Sequence, residues 1–229
     1  MRLSVIVPTL NEAAWIAGCL GGIRAAGGAD EVLVVDGGST DATAQIAARE
    51  ARVLHTPRGR AVQMNAGARH ASGDVLLFLH ADTVLHPDGL ARMRRALADP
   101  RVAGGTFTLR FDHPHPLLRF YGACSTLPWL RFGDQGIFVR RHVFDALGGY
   151  REMPLLEDVD LLRRMRRMGR LAVVPAPVTT SARRFLERGV VRQQLVNGAV
   201  LAAWHLGVSP DRLARWYRGS RRAGEPGRG

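Results

Sequence analysis

The chain contains no lysine: all 32 of its basic residues are arginine. That excludes chemistry built on a lysine amine, including Schiff-base formation and the Walker-type phosphate lysine. Cysteine is almost as scarce, with Cys19 and Cys124 the only two in 229 residues. Two are too few for a secreted disulfide scaffold, and both are expected to be small buried apolar residues. No run of 18 apolar residues occurs, so no transmembrane helix is expected. The start, Met1-Arg2-Leu3-Ser4-Val5-Ile6-Val7-Pro8, is interrupted by proline too soon for a signal peptide, and a cytosolic chain is expected. The histidines lack zinc-site spacing. No Gly-x-Gly-x-x-Gly follows the first apolar run, which disfavours a Rossmann dehydrogenase. Aromatics are 7% of the chain and scattered, whereas a nucleic-acid-binding module would interleave them with its basic residues.

What is present points to one α/β domain. The 229 residues are 46% apolar and 23% charged, enough for a core that needs neither disulfide nor metal. The formal charge of +12 implies an anionic partner: nucleic acid, a phosphorylated substrate or an acidic membrane surface. Leu3 to Val7, Val32 to Val35 and Val75 to Leu79 are short runs rich in branched residues, as strands buried on both faces are. Helical spacing links Trp15, Ile16, Cys19, Leu20 and Ile23, and again Ala44, Ile46 and Ala47 after a cap at Ser39 or Thr40. A strand is expected at Arg52 to His55 and another at Gly104 to Phe111. A helix from near Glu157 would present Val159, Leu162, Met165 and Met168. A long helix is predicted over Arg183 to Leu206 and a short one over Pro210 to Tyr217, with a frayed tail from Gly219. Strand–helix alternation over about the first hundred residues implies a doubly wound half.

In such a sheet, ligands bind beyond the carboxyl ends of the strands. The polar clusters Pro8-Thr9-Leu10-Asn11-Glu12, Asp36-Gly37-Gly38-Ser39-Thr40-Asp41 and His80-Ala81-Asp82-Thr83 each follow one of the three apolar runs. Capping and turn chemistry explain any one of them; all three together imply convergence on one crevice.

These residues resemble the opening of a family 2 glycosyltransferase, and the resemblance continues in order through Gly59-Arg60, Asn65-Ala66-Gly67, Leu79-His80-Ala81-Asp82-Thr83, Gly133-Asp134-Gln135-Gly136 and Leu156-Glu157-Asp158-Val159-Asp160. It implies the GT-A fold, a Rossmann-like, doubly wound, mostly parallel α/β sheet flanked by helices. It spans about residues 1–180, with a nucleotide-binding half to about 100 and an acceptor half after it. Residues 181–229 would form a basic helical extension packed on the same domain. The implied activity is transfer of a sugar from a nucleotide-sugar donor, usually with inversion, to a small-molecule or lipid-linked acceptor.

By that resemblance Pro8, Thr9, Asn11, Glu12, Asp36 and Ala81 belong to the donor site, with Arg60 and Asn65 near the base or diphosphate. Asp82 matches the last acid of the Asp-x-Asp motif, which binds Mn2+ or Mg2+ against the diphosphate, a role suited to a hard carboxylate. Asp158 matches the catalytic base. Its place in the first turn of a helix favours the ionised form, although Glu157 and Asp158 would also complement the helix dipole. Asp134, Gln135, Glu157 and Trp129 are expected on the acceptor side. The chain departs from the pattern at Gly37, where many members carry a second acid that often reads uracil; uridine remains the implied base. It departs again at Met64, in place of an arginine for which Arg60 substitutes, and at His80, in place of the first acid of Asp-x-Asp. His80 touches the ribose, reaches the metal or packs. The segments 79–83 and 133–136 together look like a small bacterial subgroup named for arsenosugar biosynthesis, other members of which are described only by association with radical-SAM or selenium proteins.

Arg184, Arg188 and Arg192 recur every fourth residue, with Arg212, Arg215, Arg218, Arg221 and Arg222 following. They read as a solvated face, as peripheral contact with an acidic membrane or as a grip on a phosphorylated acceptor. Two other function classes remain beside the transferase. A nucleotidylyltransferase would need an early glycine-rich loop with arginine and lysine. A non-catalytic basic module for nucleic acid or membrane would need the interleaved aromatics.

Overall fold

The computed structural model describes residues 1–127 and 133–222, the last five as backbone. The apolar runs form strands where the sequence predicts them: β1 (Leu3–Thr9), β2 (Glu31–Asp36), β3 (Arg52–His55) and β4 (Val75–Phe78). They pair in parallel in the order β3-β2-β1-β4. Helices α1 (Ile16–Ala25), α2 (Thr43–Ala47) and α3 (Arg60–His70) connect them. The remaining elements of the sheet half are β5 (Thr83–Val84), α4 (Gly89–Ala96), β6 (Val102–Phe111), α5 (Pro116–Cys124), β7 (Ile137–Arg140), α6 (Arg141–Ala146), α7 (Glu157–Met165) and β8 (Arg170–Thr180). The sheet continues β4-β7-β6-β8-β5, with β7 antiparallel to β4 and β6, and β5 antiparallel to β8. This is the mostly parallel α/β sheet that was expected.

The two reversed strands matter for the site. Because β5 and β7 run against the others, their beginnings lie at the edge where β1, β2, β4 and β8 end. Asp82 just before β5 and Asp134 just before β7 therefore reach the edge that the β1 and β2 loops occupy.

Successive residues of β1 alternate between the two faces: Val5 and Val7 join the core with Ile16, Leu20, Met93 and Phe107, whereas Ile6 joins Leu33, Met64, Phe78 and Leu161. A smaller third core pins the last helices to the start of α7, Leu156 and Val159 meeting Val200, Leu201 and Leu213. Cys19 is buried as expected and Cys124 partly so; both are free. Among the described residues no helix is long and apolar enough to cross a membrane.

Four expectations need correction. Ser39 and Thr40 do not cap α2, which begins at Thr43; Asp41 accepts the Thr43 N–H at 3.0 Å, while Ser39 and Thr40 are taken up by Asp36 and Asn11. Met168 is not on the buried face of α7. The chain closes the helix with the tighter bonds Arg167 N–H to Arg164 O and Met168 N–H to Met165 O, and Met168 is left 48% exposed. The long helix is two, α8 (Arg183–Arg188) and α9 (Val190–His205), separated by Gly189 at φ +81°, a left-handed conformation that glycine adopts without steric cost. The last helix, α10 (Pro210–Arg222), runs beyond Tyr217.

α7 is held by a buried guanidinium. Arg164 donates to Asp160 at 2.7 Å and to the carbonyls of Leu147 and Gly149 at 2.8 and 2.9 Å. Arg164→Ala leaves an almost fully buried carboxylate and two carbonyls without this donor. The expected loss is about 3 kcal/mol, read as a lower urea midpoint at unchanged slope; an unchanged midpoint would contradict the tie.

Candidate active site

At the strand edge lies a cleft of about 430 Å³. Its walls come from the β1 end (Pro8, Thr9, Leu10, Glu12), the start of α3 (Arg58, Gly59, Arg60, Gln63), the β4–β5 link (His80, Ala81, Asp82), α8 (Arg184, Arg188) and Tyr217 of α10. The β2 segment supports these walls from behind. Asp36 is buried and accepts from Ser39 N–H at 2.9 Å, Gly38 N–H at 3.1 Å, the Ser39 hydroxyl, and Thr9 Oγ1 at 3.4 Å. Burial raises its pKa, but the hydrogen bonds from Ser39 and Gly38 outweigh burial and leave it lowered.

Asn11 sits in the left-handed region at φ 55°, which asparagine tolerates. Its Oδ1 accepts Thr40 N–H at 2.8 Å and its own N–H donates to Ser39 Oγ at 2.9 Å. Asn11 thus braces the β1 loop against the β2 loop and does not line the cleft. Asn65 is also elsewhere: its amide donates to Tyr150 O at 2.8 Å and accepts Tyr150 N–H at 2.9 Å, on the side of α3 that faces away from the cleft. Gln63 takes the cleft-facing position, its Nε2 bridging the carbonyls of Thr9 and Val35, both at 2.8 Å.

Arg60 is the centre of a charge cluster. Its guanidinium is 2.6 Å from a ring nitrogen of His80, 3.5 Å from Glu157 and 3.7 Å from Asp134, and His80 Nδ1 is 3.0 Å from Asp134. Burial would lower the arginine pKa, but Glu157, Asp134, Asp158 and Asp82 together raise it. Burial likewise pushes Asp134 up, and His80, Arg60 and Arg184 more than reverse this. Glu157 goes the other way: burial is the largest effect on it and raises its pKa, only partly offset by Arg60.

Asp158 opens α7 beside Glu157, and the preceding Leu156 is held at φ 67°, an uncommon conformation for leucine. The Asp158 carboxylate accepts the N–H of Gly133 and, at 2.8 Å, that of Val159. A Cβ on Gly133 would come 2.7 Å from the Asp158 carboxylate, so only glycine lets the turn before β7 approach this acid. Gln135 is buried away from the cleft, its Nε2 donating to Ser125 O at 3.3 Å. Trp129 lies outside the described residues.

Sequence reasoning missed Arg183. It follows β8, whose end lies at the same edge, and its guanidinium bridges Glu12 at 2.6 Å and Asp82 at 3.4 Å while stacking over Trp15. The strand order is the signal that would have found it. Among the described residues no three ligand side chains cluster for a metal. Asp82 lines the cleft with its carboxylate 3.4 Å from Arg183; a divalent cation of the magnesium kind takes one or two carboxylates and fills its other positions with phosphate oxygens and water.

A family model for glycosyl transferase family 2 matches residues 4–151. A PGL/p-HBAD biosynthesis glycosyltransferase of Mycobacterium tuberculosis is 35% identical over 164 residues, 64% of this chain and 62% of that protein; the chain thus spans less than two thirds of that relative. Glycosyltransferase AglE of Haloferax volcanii is 35% identical over 101 residues, 39% of this chain and 33% of its own. Among solved structures, mannosyltransferase PcManGT from Pyrobaculum calidifontis, in complex with GDP-Man and Mn2+, superposes with a TM-score of 0.66 at 27% identity over 78% of this chain and 56% of that one. S. aureus TarS 1-349 with UDP-GlcNAc shares the fold, with a TM-score of 0.62 at 19% identity over 79% and 58%.

The lowered carboxylates set an acid limit. Asp36, whose ordinary pKa is 3.8, is depressed in the folded chain, so its contribution to stability is present above about pH 4 and lost as pH falls below that. The urea midpoint of wild type is expected to fall more steeply between pH 7 and pH 3 than that of Asp36→Asn; equal slopes would remove this assignment.

Proposed function

The chain belongs to glycosyl transferase family 2, and on that premise we propose that it moves a sugar from a nucleotide-sugar donor to an acceptor hydroxyl with inversion. The observation that supports this most is the clustering, around one arginine, of acids from the β4–β5 link, the β7 turn and the start of α7. The acceptor oxygen attacks the anomeric carbon, its proton passes to Asp158, and the bond from that carbon to the diphosphate oxygen breaks. Two backbone N–H groups fix the Asp158 carboxylate in place, so that it is held to receive the proton as the new bond forms.

Arg60, Arg183, Arg184 and Arg188 supply the positive charge for the departing diphosphate, through the charge-assisted hydrogen bonds guanidinium makes with phosphate oxygens. Pro8, Thr9, Glu12 and Ala81 hold the nucleoside, with Asp36 shaping the loop behind Thr9. Asp134 and Glu157 meet the acceptor, and Gln135 positions their turn. Asp82 would hold Mn2+ or Mg2+, which when bound stabilises negative charge on the leaving diphosphate; the Pyrobaculum relative is complexed with Mn2+. Uridine is the base implied by the family resemblance, while the Pyrobaculum protein is complexed with GDP-Man. The proposed enzyme is cytosolic. The subgroup likeness of 79–83 and 133–136 concerns lineage, and the acceptor must be read from the chain's own surface.

Asp158→Asn is expected to lower turnover by about 10²–10⁴-fold while leaving nucleotide affinity, read by calorimetry, within about twofold. Asp82→Ala is expected to weaken Mn2+-dependent nucleotide binding. Normal turnover in Asp158→Asn would remove the base. In a thermal-shift panel of UDP-, GDP- and dTDP-sugars, with and without Mn2+, a UDP-sugar should stabilise most; selective stabilisation by a GDP-sugar would replace uridine with guanosine.

A further inference from the structure

One amide lines the cleft where β1 and β2 end. Gln63 is buried, 5% exposed, and its Nε2 donates to the carbonyls of Thr9 and Val35, both at 2.8 Å. Only the nitrogen can meet two carbonyls, which fixes the orientation of the amide. Both of its N–H groups are thereby spent, and Oε1 is turned away from those carbonyls. Among the described residues nothing donates to that oxygen. It is not sealed inside the protein either, and Gln63 lines the cleft, so the oxygen opens there. Gln63 thus offers a ligand an acceptor and no donor.

The sequence makes room for this amide. A Cβ at position 37 would come 3.0 Å from the Gln63 amide carbon and 3.1 Å from its nitrogen and oxygen. Gly37 does not have a positive φ, so its backbone does not call for glycine; the space beside Gln63 does. Asp36, at the end of β2, cannot share the task, because Ser39, Gly38 and Thr9 already occupy its carboxylate. The charges of α3 lie one turn away, where Arg60 meets His80, Glu157 and Asp134. A diphosphate goes to the arginines, and an uncharged ring with an N–H edge goes to the amide oxygen.

We propose that Gln63 selects the base of the donor, its Oε1 accepting a ring N–H on the base's pairing edge, which uracil has at N3 and guanine at N1. Cytosine and adenine carry an unprotonated nitrogen at the corresponding place. It would face the amide oxygen lone pair to lone pair, so their diphosphates are rejected. This rests on the transferase reading above and names the atom through which that site tells one nucleotide from another.

Calorimetry on the full chain, with Mn2+ present, compares UDP with 3-methyl-UDP and GDP with 1-methyl-GDP, a methyl group replacing the N–H in each pair. For whichever nucleotide binds more tightly, the wild type should lose at least about tenfold on methylation, and CDP and ADP should be weaker by a similar factor. In Gln63→Ala two carbonyls lose their donor and stability falls whichever role the amide has; the methylation penalty separates the roles, and it should shrink to within about twofold. Gly37→Ala, which presses a methyl on the amide, should shrink the penalty with Gln63 still present. A penalty as large in both variants as in the wild type would make Gln63 a structural bridge only and overturn the proposal. So would equal binding of a nucleotide and its methylated form by the wild type, or CDP or ADP binding as tightly as the preferred nucleotide. A wild type that binds none of them would bring down the transferase reading and this proposal together. Tight binding without a methylation penalty would leave that reading standing and remove Gln63 alone.

Discussion

The cleft exists because one guanidinium balances acids delivered by three separate stretches of chain. Asp82, Asp134, Glu157 and Asp158 all act on Arg60, and carboxylates so close together could not remain ionised without a cation among them. Arg183 serves Glu12 and Asp82 in the same way on the other wall. The diphosphate of the proposed donor would add further negative charge, so the proposed reaction needs more positive charge than the protein's own acids do. Arg184 and Arg188 line the same cleft and meet that requirement. The absence of lysine has a consequence here. Guanidinium keeps its charge under burial and presents a planar fork to carboxylate or phosphate, so the pairing can be exchanged between protein acids and a ligand without loss of protonation.

Much of the sheet was legible because parallel strands buried on both faces are written as continuous apolar runs, and β1 to β4 are such runs. Their loops were legible for the same reason, since the topology sends strand ends to one edge. Helix faces were read less well. Asn65 was placed with Arg60, yet at 100° per residue it lies about 140° around α3 from it, while Gln63 lies about 60° away. Helical arithmetic alone separates the two, and the structure puts Gln63 in the cleft and Asn65 on Tyr150. Asn11 stands off the cleft for a different reason. Its side chain has a backbone amide within reach across the loop, and that local bond takes precedence over a ligand.

Gly189 was the other illegible feature. Arginines at every fourth position suggest one continuous cationic face, but a single left-handed residue ends that face after Arg188 and redirects the chain. The result is a division of labour no periodicity conveys. α8 gives its arginines to the cleft, and α9 gives Val200 and Leu201 to the third core. The charge excess of the carboxyl-terminal third is thus partly a feature of the site itself.

The family model matches residues 4–151, and the resemblance in sequence runs on through Leu156-Glu157-Asp158-Val159-Asp160. Pro8, Thr9, Arg60, Asp82 and Asp134 lie within it, on the sheet half that any nucleotide-sugar donor would meet. Arg183, Arg184, Arg188 and Tyr217 lie beyond it. The proposed base therefore belongs to the shared pattern together with the proposed donor residues, whereas the arginines of α8 do not. Leu156 and Val159 pack against α9 and α10, so the helix that presents Asp158 is seated by these last helices. A change in those helices would disturb how α7 holds the proposed base, and through Tyr217 of α10 it would reach the cleft as well.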